Sequence, residues 1–114
     1  MRRLLMLTTA TLLLGAACSS TPKTPEDLCP SPTTTTSVVM ADFSYEPTCV
    51  AVDEGATLSI DNEGQAPHTF TIDGADLDLD AGESGTLDLA GIAPDTYEVI
   101  CTYHPQMKAA LQVS

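Results

Sequence analysis

The chain has 114 residues, enough for one domain. Four basic residues stand against sixteen acidic ones, a net charge of −12 that excludes ordinary nucleic-acid binding and disfavours anionic lipid head groups. There is no tryptophan, and only two phenylalanines and three tyrosines, so Val, Ile, Leu and Ala must build most of the core; the supply of Thr, Gly and Pro suits short strands and turns.

Residues 1–17 read as a removable leader. Arg2 and Arg3 give a positive start, Leu4 to Leu14 is apolar or threonine, and Gly15, Ala16 and Ala17 are small. That order is a secretory signal peptide, and the run is short for a membrane span. Cys18 follows directly, and the junction resembles the lipobox of bacterial lipoproteins, in which this cysteine is lipidated and becomes the new N-terminus. That implies an extracytoplasmic protein anchored to the bacterial cell membrane. Gly15 stands where leucine is usual, and simple cleavage is the alternative. Loss of the leader leaves two basic residues against sixteen acids. A basic protein partner would meet such a surface faster than a neutral one.

Residues 18–37 are dominated by proline, serine and threonine without apolar period, as expected of an extended tether. From Val38 the pattern changes. Strands are predicted over Val38–Tyr45, Cys49–Val52, Thr57–Asp61, His68–Ile72, Thr86–Leu89, Thr96–Cys101 and Lys108–Val113, divided by turn signals such as Asn62-Glu63-Gly64 and Asp73-Gly74. Residues 75–85 are expected to be an exposed acidic connection. About seven short strands without a helical period predict an all-β fold, an antiparallel Greek-key sandwich over residues 38–114.

The chemistry-bearing residues gather near the C-terminus. Cys101-Thr102-Tyr103-His104-Pro105-Gln106-Met107 has the spacing Cys-x2-His-x2-Met. The only other histidine, His68, opens a predicted strand behind Pro67. A thiolate, two imidazoles and a weak thioether suit copper in both oxidation states. Taken singly, each is ordinary: a buried histidine is usually a hydrogen-bonded core residue, and a buried methionine is usually filler. Together, in this order and in an exported chain, they point to metal.

This set resembles the cupredoxins, the blue type 1 copper proteins, over about Val38 to Val113. The short loop is most like that of amicyanin, whereas plastocyanin has a longer His–Met spacing. The resemblance implies one copper held by His68, Cys101, His104 and Met107, with electrons entering or leaving through a partly exposed His104 against which a redox partner docks. Tyr103 stands where the family often has proline, and Thr69 where many members have an asparagine that steadies the ligand loop. With Cys18 assigned to lipid and Cys101 to copper, Cys29 and Cys49 remain to form a disulfide; a free thiol at Cys29 is the alternative.

Other metals fit less well. Structural zinc rarely uses methionine, and the Cys-x-x-Cys-His of haem attachment is absent. Asp76, Asp78 and Asp80 lack the glycine and distal glutamate of a calcium loop. The expectation is a one-electron carrier and not an enzyme, because a second, catalytic copper would need further histidines. Copper delivery or storage is the alternative.

Overall fold

The structure, a computed structural model, describes Asp27 and residues 29–114. The leader expected over residues 1–17, the lipidation expected at Cys18 and half of the expected tether, residues 18–26 and 28, lie outside the described residues. Ten strands and no helix appear among the described residues: β1 Thr33–Thr34, β2 Ser37–Ala41, β3 Ser44–Glu46, β4 Cys49–Val52, β5 Thr57–Asn62, β6 His68–Ile72, β7 Ala75–Leu79, β8 Ser84–Asp88, β9 Asp95–Ile100 and β10 Lys108–Val113. They form a sheet in the order β1-β4-β10-β9-β6-β7 and a second in the order β3-β2-β5-β8.

Period-two patterning drives the packing. Along β5, Leu58, Ile60 and Asn62 are buried, while Thr57, Ser59 and Asp61 face solvent. Val38, Met40, Leu58, Ile60 and Leu87 from one sheet close on Val50, Phe70, Ile72, Val99, Leu111 and Val113 from the other. Each such side chain contributes about 1.5–3 kcal/mol through burial, which lets a small chain fold without tryptophan.

Three features depart from the sequence reading. Three pairings are parallel, β1 with β4, β4 with β10 and β2 with β5, so both sheets are mixed. The predicted Val38–Tyr45 strand is split into β2 and β3 by a turn at Asp42-Phe43. The expected acidic connection contains β7, where Asp76 and Asp78 face outward and Leu77 and Leu79 turn inward. The Asp73-Gly74 dipeptide is the two-residue turn between β6 and β7, with Gly74 at φ 95°. A high acid count hid an alternating strand.

Cys29 and Cys49 are joined by a disulfide with Cα atoms 5.0 Å apart. It lies beside β1, whose pairing with β4 begins at Thr33, ahead of Val38.

Candidate metal centre

The start of β6, the end of β9, the start of β10 and the β2–β3 turn meet at one pole of the sandwich. Residues 101–107 join β9 to β10 there. The His104 amide donates to the Cys101 carbonyl at 3.3 Å, and the Met107 amide donates to the His104 carbonyl at 2.9 Å. The Cys101 amide closes the loop by donating to the Met107 carbonyl at 3.3 Å. The Cys-x2-His-x2-Met spacing is therefore two successive tight turns, each bringing its last residue back to the pole. Cys101 and Met107 are buried, and His104 is half-buried.

His68 arrives from the other direction, fully buried at the start of β6. The loop before it is held by buried Asn62, whose amide donates to the carbonyls of Ala66 (2.9 Å), Leu79 (3.1 Å) and Asp80 (3.1 Å) and whose Oδ1 accepts from Gly64 N–H at 3.0 Å. His68 Nδ1 lies 3.8 Å from Cys101 Sγ, and the His68 and His104 rings lie 5.0 Å apart, centroid to centroid.

Thr69 ties the two sides together. Its amide donates to Cys101 Sγ at 3.4 Å, and its Oγ1 accepts the Thr102 amide at 3.0 Å. A hydrogen bond onto sulfur favours the thiolate. Thr69 thus steadies the ligand loop. Its Oγ1 is also 2.8 Å from Thr71 Oγ1, which hydrogen-bonds onward to Asp76. Buried Tyr45 donates to the Thr69 carbonyl at 2.6 Å. Burial, with Cys101 adding to it, pushes the Tyr45 phenol far above its usual range, so the hydroxyl remains a donor.

Tyr103, in place of the usual proline, braces the loop from outside. Its hydroxyl donates to Asp78 Oδ2 at 2.5 Å, and that bond raises the phenol above its ordinary value. Tyr103 is 49% exposed, and Pro105 is also exposed, whereas Met107 points inward. The apolar surface beside His104 therefore consists of Tyr103 and Pro105 with Phe43, and buried Met107 has no part in it.

Sequence reasoning missed the β2–β3 turn. Asp42 Oδ1 lies 3.0 Å from His68 Nε2, and the Gln65 amide donates to both oxygens of that carboxylate at 3.0 and 3.1 Å. The His68 hydrogen bond, followed by backbone donors of Gln65 and Ala66, holds the Asp42 carboxyl below its usual range. Phe43 is 66% exposed at φ 66°, with its ring edge-on to His104 at 5.0 Å. A large exposed side chain in the left-handed region is uncommon, and such strain concentrates at functional sites. The only available signal was an acid interrupting an apolar run.

The donor set fits copper. A buried thiol faces an imidazole nitrogen, a thioether is buried at the end of the same loop, and His104 Nε2 is buried without a hydrogen-bond partner. A buried polar nitrogen left unpaired costs free energy that a metal would recover. No group of three His, Cys, Asp or Glu side chains stands in metal-binding geometry among the described residues.

Residues 5–113 match the cupredoxin-like domain family. The chain belongs to the cupredoxin family. Its fold is shared with a methionine-to-alanine variant of amicyanin in the Cu(I) form, at 27% identity and a TM-score of 0.58 over 68% of this chain and 80% of that one. A purple cupredoxin from Nitrosopumilus maritimus superimposes with a TM-score of 0.57 at 17% identity, over 68% of this cupredoxin and 98% of that chain. A copper-containing nitrite reductase from Thermus scotoductus SA-01 gives a TM-score of 0.57 at 22% identity over 68% of this chain, which spans only 22% of the reductase. No curated protein matches the sequence. Family membership supports a copper-binding protein of the electron-transfer type.

Proposed function

We propose that this cupredoxin is an exported one-electron carrier that holds a single type 1 copper through His68, Cys101, His104 and Met107. The observation that carries the reading is the 3.8 Å approach of His68 Nδ1 to Cys101 Sγ beside the unpartnered nitrogen of His104. Copper, when bound, supplies the one-electron Cu(I)/Cu(II) couple. The protein's part is to keep the donors in place in both states. Thr69 and Asn62 hold the two ligand-bearing segments through hydrogen bonds, and the strand ends beneath them are paired. A site that does not rearrange costs little when the electron moves.

Export rests on the leader over residues 1–17, and membrane anchoring rests on lipidation of Cys18. The redox partner would dock on Phe43, Tyr103 and Pro105 around His104, and the acids of the surrounding surface favour a basic partner. Nucleic acid is disfavoured by the same charge. The histidine supply supports a non-enzymatic role: both histidines are assigned to this one site, and a second copper centre within a monomer would need more. Copper delivery or storage would use the same ligands.

A visible absorption titration with Cu(II) tests the assignment on residues 18–114 carrying Cys18→Ser. An intense blue band saturating at one copper per chain is expected. Absence of the band would leave a shared fold without the electron-transfer site. Retention of copper through repeated redox cycles separates a carrier from a delivery protein, which would release Cu(I) to an acceptor.

A further inference from the structure

The geometry points to Asp42 as a positioning residue that fixes the tautomer and orientation of His68 for the metal, an inference that rests on the copper reading. His68 is fully buried, and Asp42 reaches it from a turn 26 positions earlier in the chain. An ionised carboxylate only accepts hydrogen bonds, so at 3.0 Å the proton must sit on His68 Nε2. In the neutral ring Nδ1 is then the unprotonated nitrogen, and it faces Cys101 Sγ at 3.8 Å. A carboxylate behind a ligating imidazole also makes it more basic, which favours the more highly charged metal state.

Asp42 is itself held in place. Both its oxygens accept the Gln65 amide, so the β2–β3 turn is clamped to the loop that leads into His68. Gly64 makes the approach possible. A Cβ there would lie 2.5 Å from Asp42 Oδ1 and 2.8 Å from His68 Nε2. The backbone of Gly64 does not require glycine for its φ, so the missing side chain serves to leave room for this pair.

Nitrogen-15 NMR of the copper-free protein reads the tautomer directly, and competitive Cu(II) titration reads affinity. In the native sequence His68 should be wholly the Nε2–H tautomer. Asp42→Ala should yield a mixture or the Nδ1–H form and weaken Cu(II) binding about 10–100-fold. Asp42→Asn keeps an acceptor without the charge; it should preserve the tautomer, weaken Cu(II) about tenfold and raise the reduction potential. Gly64→Ala keeps the carboxylate but forces it away, and should reproduce the alanine result even if Asp42→Ala folds poorly. An unchanged tautomer in both Asp42→Ala and Gly64→Ala, or unchanged affinity in all three variants, overturns the assignment. A tautomer that shifts as expected in a protein with no affinity for copper would instead overturn the copper reading and leave the hold on His68 standing.

Discussion

The interior of the sandwich and its metal-binding pole follow opposite rules. In the interior, alternation, burial and pairing agree: Leu58, Ile60 and Phe70 are buried in strands whose alternate positions are polar, and Leu111 is buried in β10, between β4 and β9. At the pole, an imidazole nitrogen is buried without a partner, a phenylalanine lies exposed in a left-handed conformation, and a carboxylate reaches across from another sheet. Sequences that fold cleanly are consistent across levels, and the places that break consistency tend to be functional. The interior supplies stability that the pole uses up.

If this division is right, the two regions should respond differently to substitution. Cys101→Ser should remove the blue band entirely while leaving the circular dichroism and unfolding midpoint of the copper-free protein nearly unchanged, since the two side chains are close in size. Leu58→Ala should do the reverse. It should cost about 2–5 kcal/mol in denaturant unfolding and leave the absorption of the copper-loaded protein intact. Removing the bridge with Cys29→Ala and Cys49→Ala should cost about 3 kcal/mol, from a loop closed over 20 residues, again without changing the copper spectrum. The smallest effect sharpens the comparison most. Phe43→Asn should stabilise the copper-free fold by about 1 kcal/mol, because asparagine tolerates a positive φ and little burial is lost. The same substitution should speed removal of copper by a chelator, since the ring covering His104 is gone. Stabilisation without faster release would place Phe43 outside the site.

Most of the fold was legible because it is local. Alternation marked β5, β6 and β8, and an all-β sandwich followed. β7 was obscured because Asp76 and Asp78 suggested a solvated loop, although the leucines between them keep period two. The parallel pairings carry no local signal, since they are set by which distant strands meet. The site divides the same way. His104, Cys101 and Met107 lie within one short segment whose spacing is itself two turns. Asp42 and Phe43 are distant in sequence from both histidines and come near only once β2 and β6 lie in facing sheets. The support around a ligand set is assembled by tertiary structure, so a linear motif reveals the ligands and omits what holds them.

Cys49 opens β4 opposite Ala110, and β4 runs parallel to β10, so the Cys29–Cys49 bridge sits close to the end at which β10 leaves the ligand loop. β1 then carries the chain away along β4 toward the opposite pole. Tension on whatever precedes Cys29 is therefore taken up by the bridge. It bears on the end of the domain that holds the histidines. Were the chain anchored ahead of Cys29, as the proposed lipidation of Cys18 requires, the domain would pivot about its metal-binding end, with His104 moving through a small arc and the far end through the larger one.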